Sequence, residues 1–438
     1  MRRLLTLLGF VFCFSVLSAQ DMLSLEEAIA VALKNNYDIR LVRNDSAVYG
    51  TDEELAWGGF LPRVNGTVTK VWNQNNQRQQ LADGSKRALD NAKSSNITAS
   101  MGLQWVLFDG LRMFATREKA RQMVEVGEFT VKNQISNTVA AVINNYYNVV
   151  QAKQQLKAVE EQMSISEERV KLADKKLSVG LGSKPELLQA RVDLNAQKAA
   201  QLQQRTTIAQ LTEQLNQVLG QAANSKQYQV SDSIPLNLDI QYGELAQNLQ
   251  ETNPYMRLLR KNIDVASLTV KERKADRWPV ISFNSAYNYS RLNNLAVVNP
   301  FTPLFSRNNG FNYGFGATIP ILNNFAVKRQ LKIAELDVRY QQLTFENQKN
   351  ILDVDLSNTY KDYEYQKQAL ALEEENINLA KENVNIALAR FRQGVSTYLE
   401  LREAQISLAD AYNRLIAARY NTKLAETELL RIKGDLVR

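Results

Sequence analysis

A mainly helical chain built twice over, each half carrying one pair of amphipathic strands and one long helical hairpin, is what this sequence predicts. Three observations carry that reading. VGLGSKPELLQARVDL at 179–194 is matched without gaps by QGVSTYLELREAQISL at 393–408, 214 positions later. Two stretches, ITASMGLQW at 97–105 and FNYGFGATI at 311–319, alternate apolar and polar residues strictly, the period of a two-faced strand. Two long proline-poor runs keep the 3,4 apolar spacing of helices packed in a seam.

The repeat extends in both directions, and a repeat of this length governs the whole fold. The 214-residue offset pairs Gly102 with Gly316, Ala120 with Ala334, Asn144 with Asn358, Tyr146 with Tyr360, Lys153 with Lys367, Gly180 with Gly394 and Glu186 with Glu400. Upstream the offset is 217, pairing Asn36 with Asn253, Arg40 with Arg257 and Pro62 with Pro279, so the second copy is three residues shorter between its proline and its glycine. Glycine, proline, asparagine and tyrosine matching in order mark a duplication rather than shared leucine and alanine periodicity.

In chain order, residues 1–19, MRRLLTLLGFVFCFSVLSA, read as a signal peptide: Arg2 and Arg3, an apolar stretch, then Ser18 and Ala19 before a cut at or one residue ahead of Gln20. Phe12 stands where lipidation at Cys13 would need a small residue. The first repeat spans 20–221. It opens on a helix at SLEEAIAVAL, where Ser24 and Glu27 form a capping-box pattern, and the helix fades near Gly58–Pro62. Strands follow near 63–73 and 96–106, then a helical hairpin turning near 180–184. Residues 222–240 lose the heptad pattern and read as a linker. The second repeat spans 241–438, with strands near 280–290 and 311–320 and a hairpin turning near 394–398.

On the alternating strands Ile97, Met101, Leu103 and Trp105, with Phe311, Tyr313 and Phe315, form apolar faces. A soluble half-buried sheet has the same period. Two features favour lipid: the strands have about the 9 to 11 residues of a tilted membrane strand, and aromatics recur on the apolar face as in interfacial girdles. No later segment offers the ~18 apolar residues of a spanning helix, so any membrane entry is by strands. Four strands do not close a barrel, and an open edge is not tolerated in lipid; several chains therefore share one barrel. Beyond the strands no proline occurs from 110 to 179, and Leu156, Val159, Met163, Ser166, Val170, Ala173 and Leu177 keep strict 3,4 spacing. Ile377, Ala380, Val384, Ala387 and Phe391 repeat it, and Leu401, Ala404, Leu408, Ala411, Leu415 and Ala418 line the returning helix. At about 1.5 Å per residue such a helix reaches on the order of 100 Å.

Composition removes most chemistry. The chain has no histidine, and its one cysteine, Cys13, lies in the leader. Disulfides, thiolate or imidazole metal centres and histidine-based catalysis are thereby excluded from the mature chain, and no catalytic residue, metal site or cofactor is assigned. The net charge of +7 falls to +5 without Arg2 and Arg3, too mild a balance to call for nucleic acid as the partner of an exported chain.

Taken in order and twice over, SLEEAIAVALKNN, LPRVNGTVTK, WPVISFNSAYNY, LQWVLFDG, SVGLGSKPELL and RQGVSTYLEL resemble the outer-membrane efflux protein family, the TolC-like channels. That resemblance covers essentially the whole mature chain. It implies a homotrimer, with a twelve-stranded barrel in the bacterial outer membrane and a tunnel of twelve helices in the periplasm. It also implies a periplasmic adaptor and an inner-membrane efflux pump as partners, and export of small molecules or secreted polypeptides. On the same ground Val179, Gly180, Leu181 and Gly182, with Gly394, Val395 and Ser396, are expected at adaptor-contact tips. Glu400 and Glu403, with Glu186 from the first copy, are expected to ring the periplasmic entrance and favour cations. Phe391 and Ser396 stand where the family places an aromatic hydroxyl and a basic bridging side chain, so Arg402, between the two acids, is expected to supply the closing link. A periplasmic adaptor and a structural coiled-coil protein without channel activity are exported designs with comparable hairpins; paired strands facing lipid separate a channel from both.

Overall fold

The computed structural model describes residues 22–223 and 228–436, so the leader assigned to 1–19 lies outside the described residues, as do 224–227 of the expected linker. The chain runs β1 (Met22–Leu23), α1 (Leu25–Asn35), α2 (Tyr37–Leu55), a short 3-10 turn (Ala56–Phe60), β2 (Arg63–Gln80), β3 (Lys86–Phe108), α3 (Arg112–Ser178) and α4 (Lys184–Val218). It continues through β4 (Gln229–Val230), α5 (Tyr242–Ala246), α6 (Leu249–Thr252), α7 (Pro254–Ala275), β5 (Val280–Asn294), β6 (Phe305–Thr318), α8 (Ala326–Arg392) and α9 (Tyr398–Lys433). The long helices α3 and α8 both have 67 residues. Two compact units result, one built from residues 45–128 and 258–346, the other from the remainder.

The first unit holds a four-stranded antiparallel sheet of order β2-β3-β5-β6. Its register decides which residues share a face. Met101 stands opposite Gly66 and Tyr287, and Tyr287 opposite Phe311; two residues on, Leu103 aligns with Val64 and Ser285, and Ser285 with Tyr313. Because side chains alternate with period two, Val64, Val68, Ile97, Met101, Leu103, Trp105, Phe283, Tyr287, Phe311, Tyr313 and Phe315 line one face. The other carries Asn65, Thr67, Ser100, Gly102, Asn284, Asn288, Asn308, Gly310, Asn312 and Gly314. From the row of Trp105 to the row of Ala99 one face is thus mainly aromatic and aliphatic, the other mainly amide, hydroxyl and glycine.

The strands run further than the alternation suggested. β2 continues to Gln80 and β3 begins at Lys86, turning through Asp83 and Gly84. The segment NQNNQRQQ is polar on both faces and faces a partner with only Ala88, Leu89 and Ala92 among polar residues, so the apolar period vanishes while the backbone ladder persists. Amides knit the pair: Asn73 donates to Ser94 at 3.4 Å and Gln74 to Asn91 at 2.7 Å, beside a bulge between Asn75 and Gln77.

The second unit packs the hairpins. Ser24 caps α1 in the box the sequence announced, accepting from the Glu27 amide while the Glu27 carboxylate accepts from the Ser24 amide. Ala28 and Ala32 of α1 meet Val139, Val142, Ile143, Tyr146 and Val150 of α3, Leu215 of α4 and its C-cap Leu219 in one core. In the second hairpin Ile377, Ala380 and Val384 pack on Ala404, Leu408, Ala411, Leu415 and Ala418, the large and small alternation letting the helices approach closely.

On α3 the fully buried stripe differs from the expected one. Ala158, Gln162, Ser166, Arg169 and Ala173 are buried, whereas Val159, Met163, Val170 and Leu177 are only half-buried. The helix meets its own return helix on one side and α9 on the other, as the cluster of Ala173 with Leu187 and Ala190 and the contact of Arg169 with Gln405 show. The centre of the buried arc therefore falls between two seams, and three of its five members are polar.

The stretch after α4 is not featureless. β4 pairs in parallel with β1, Leu23 opposite Val230, and Lys153 donates to the Val230 carbonyl at 2.9 Å. Tyr146, almost fully buried, donates to the Leu23 carbonyl at 2.8 Å and accepts from the Ser231 amide at 3.1 Å. The equivalent service in the second repeat falls to Tyr363, one turn past the 214-offset partner Tyr360: its hydroxyl donates to the Asn237 carbonyl at 2.7 Å. Replacing Tyr146 by Phe leaves a carbonyl and an amide without their shared partner, a loss of about 1–3 kcal/mol. A lowered thermal midpoint by circular dichroism, with unchanged helical content, is the expected result.

Candidate functional site

The site is built from the two hairpin turns and the polar contacts between the hairpins just behind them. Both turns have one design. Gly180 and Gly394 adopt φ of +76°, the left-handed conformation that ends a helix most cheaply with glycine. Leu181 donates back to the Lys176 carbonyl at 2.9 Å and Val395 to the Arg390 carbonyl at 3.0 Å, the same closing bond 214 residues apart. The return helices are capped alike: Ser183 accepts from the Glu186 amide at 3.4 Å and Thr397 from the Glu400 amide at 3.2 Å.

These turns expose apolar side chains. Leu181 is 82% exposed, Val395 63% and Val179 62%, a large apolar presence for the end of a polar hairpin. A Cβ on Gly182 would approach the Leu177 amide nitrogen to 2.9 Å, which holds that position to glycine. Ser396 is half-buried, and its hydroxyl has no hydrogen-bond partner among the described residues.

Glu186 and Glu400 occupy the first turns of α4 and α9, where a negative charge meets the positive end of the helix. Glu400 is exposed, with its carboxylate 4.0 Å from the Arg390 guanidinium; Glu403 is exposed one turn on, and Glu186 is half-buried. Phe391 is buried. Its carbonyl accepts from the Lys176 ammonium at 3.2 Å, and that ammonium lies 3.8 Å from its ring centroid, so a basic side chain from the first hairpin holds the end of α8.

Arg402, expected to supply a closing link, makes its ion pair with the first hairpin. Its guanidinium turns to Asp193 of α4, at 3.5 Å, and Asp193 proves to be the centre of a cluster that no sequence spacing announces. Arg169 of α3, 2% exposed, reaches the same carboxylate at 2.7 Å and donates to Gln405 of α9 at 2.7 Å. The Tyr398 hydroxyl donates to Asp193 as well, its ring lying 4.9 Å from the Arg169 guanidinium carbon, and Gln189 donates to the other carboxylate oxygen at 2.9 Å. One carboxylate thus ties the first hairpin, through α3 and α4, to the first two turns of α9. Glu168–Arg392 at 3.4 Å and Glu161–Tyr412 add links between the hairpins on either side. A cleft of about 250 Å³ opens beside Asp193, lined by Gln162, Ser166, Arg169, Gln405 and Ile406.

The cluster has a defined charge state. Burial pushes the Asp193 carboxyl upward, but the hydrogen bonds from Tyr398 and Gln189 and the charges of Arg169 and Arg402 outweigh it and leave the pKa below the ordinary value. Burial, then the bond to Asp193, pushes Tyr398 up to about 12. Near neutral pH the node is therefore a carboxylate, a neutral phenol and two guanidiniums.

Comparison with known proteins places this geometry. The family model for outer membrane efflux proteins matches residues 28–221 and 245–435. The chain is 20% identical over 431 residues to the outer membrane efflux protein BepC of Brucella suis, covering 96% of this chain and 88% of that one. It is 22% identical to the probable efflux pump outer membrane protein TtgC of Pseudomonas putida, covering 94% and 83%. In fold it is similar to the outer membrane protein VceC of Vibrio cholerae, with a TM-score of 0.75 at 16% identity over 94% of this chain and 96% of that one.

The node carries a pH signature with opposite signs at its two ends. Asp193 has a lowered folded pKa, so its contribution is complete above about pH 4 and is lost as pH falls through the folded value. Tyr398 has a raised one, so its contribution is complete below about pH 10 and is lost as pH rises through about 12. Between those limits the thermal midpoint of wild type and of Tyr398→Phe should run parallel. Above pH 10 the gap should close, because the wild type alone loses the phenol proton. Asp193→Asn leaves Arg169 buried without its counter-charge and should cost on the order of 3 kcal/mol, read as a lower midpoint at neutral pH.

Proposed function

The chain belongs to the outer membrane efflux protein family, and from that membership we propose how this outer-membrane channel is assembled, gated and docked. Three copies close one barrel of twelve strands, the aromatic face of each sheet outward to lipid and the amide and glycine face inward to water. The observation that carries this reading is the sheet register: one face is apolar across four strands and the other polar, and its outer strands β2 and β6 are edges within a single chain. A sheet so divided suits a wall between lipid and a water-filled lumen, and an adaptor or a structural coiled coil has no use for it.

The hairpins form the periplasmic duct. Six turns per trimer, two kinds alternating, present Val179, Leu181 and Val395 to a periplasmic adaptor, and through it the duct serves an inner-membrane pump. Small molecules or secreted polypeptides pass; the choice of cargo rests with the pump. Glu400 and Glu403, with Glu186 at the equivalent place in the first hairpin, set a cation preference at the mouth, where like charges from three chains focus the field. The Asp193 node, with Arg402 as one of its members, keeps the second hairpin against the first and so holds the mouth narrow.

Planar-bilayer conductance of the detergent-purified protein tests both parts. Wild type should give small, cation-selective openings. Glu400→Gln with Glu403→Gln should bring the cation-to-anion permeability ratio toward one, and Asp193→Asn should enlarge the openings several-fold while leaving selectivity in place. Unchanged selectivity in the double variant removes the acids from the mouth; unchanged conductance in Asp193→Asn removes the node from gating.

A further inference from the structure

The apolar sheet face carries a feature that a lipid wall alone does not require. Row by row, it begins with Trp105, Phe283 and Phe315 at the end where the strands join their helices. Three rows follow through Leu103, Met101 and Ala99 and their partners. The row through Ile97 then brings Lys70, Arg291 and Arg307 into line on three of the four strands. The next row holds Trp72 and Phe305.

The two aromatic rows, through Trp105 and through Ser95, lie ten residues apart, about 34 Å along the strand and about 26 Å in depth at a tilt of about 40°. That matches an apolar band with its two girdles. The basic row sits just inside the outer girdle, on the side away from the helices. All three side chains are exposed, and no acidic residue occurs on the strands from these rows inward, Asp90 near the turn being the one carboxylate of the four strands.

The cations are held in place by aromatic faces. The Lys70 ammonium lies 4.6 Å from the Trp72 ring centroid and the Arg291 guanidinium 5.5 Å from that of Phe305, so both reach toward the outer girdle. Arg307 lies 5.5 Å from the centroid of Tyr289, one row inward. Charges on a lipid-facing surface are costly unless they reach the interface or meet counter-charges, and three in line, without a protein carboxylate beside them, call for an anionic partner. Guanidiniums favour phosphate oxygens, which they grip in a fork.

We propose that Lys70, Arg291 and Arg307 form a binding row for a phosphorylated glycolipid of the outer leaflet, its acyl chains lying against Met101, Tyr287 and Phe311. Arg291 and Arg307 stand directly opposite each other on β5 and β6, and with Arg307 swung outward from Tyr289 the two take one phosphate together. Lys70, two strand spacings or about 10 Å from Arg291, takes a second. A disaccharide headgroup with a phosphate at either end fits that spacing better than a single-phosphate lipid. This assignment rests on the outward orientation proposed for the aromatic face.

The test is native mass spectrometry of the full, delipidated protein in neutral detergent, titrated with a diphosphorylated disaccharide lipid and with the same lipid after enzymatic removal of its phosphates. Wild type should retain the phosphorylated form at least about tenfold more strongly, and Arg291→Gln with Arg307→Gln should lose most of that preference. Arg291→Lys with Arg307→Lys, which keeps charge on the same fold, should retain a part of it. Equal retention of the two lipids by wild type, or an undiminished preference in the Gln pair, overturns the proposal. Bilayer conductance of the same preparation separates the two levels: conducting pores without phosphate preference sink the lipid row alone, whereas a chain that forms no pores and stays soluble without detergent sinks the outward orientation and this proposal with it.

Discussion

Backbone amides and carbonyls cannot be left bare in hydrocarbon, and this requirement shapes the sheet more than any side chain does. Each chain supplies four strands in the order β2-β3-β5-β6, with β2 and β6 at the edges. In water such edges invite aggregation; in lipid each unpaired group costs several kcal/mol. A closed ring of strands removes the problem, and a single chain does not have enough of them. Duplication provides half of the answer by giving every chain two strand pairs. Self-association supplies the rest, edge β2 of one copy meeting edge β6 of the next, in the arrangement proposed above.

The hairpins face a different constraint. Helices in seams of small and large residues, such as Ala404, Leu408, Ala411 and Leu415, pack tightly and with little reason to part. Between the two hairpins Ile165 packs on the second seam and Tyr398 on the first, but much of the contact near the turns is polar: Arg169, Asp193, Tyr398, Arg402 and Gln405. A node of this kind contributes less net stability than an apolar plug of the same size, because desolvating the charges offsets most of their attraction. It does fix one arrangement, and its members can be satisfied by water once separated. Apolar seams inside each hairpin and a polar node between hairpins suit a duct whose hairpins move as bodies.

What was legible in the sequence was what local pattern encodes. The 214-residue offset, the glycines at both turns and the cap at Ser24 follow from spacing and backbone preference, and the seams of the second hairpin follow from heptads. Three things were not legible, each for a physical reason. The outer halves of β2 and β3 lack alternation because both of their faces are mainly polar. Asp193 and Arg169 meet Tyr398 and Arg402 across more than 200 positions, and no helical period reports a partner so distant. Arg402 was expected to supply a closing link, and its partner on another helix, Asp193, was not readable from its place between Glu400 and Glu403, since residues one and two apart on a helix do not face each other. The row of Lys70, Arg291 and Arg307 emerges only once the register aligns the strands.

The central claim is that this sheet is one third of a closed barrel. The mass of the intact, detergent-solubilised particle, measured by native mass spectrometry after the detergent is stripped, tests it most directly. The account predicts a single species of three chains, persisting when Asp193 is replaced by Asn because the barrel does not depend on that node. A folded, detergent-dependent particle of one, two or four chains would contradict it.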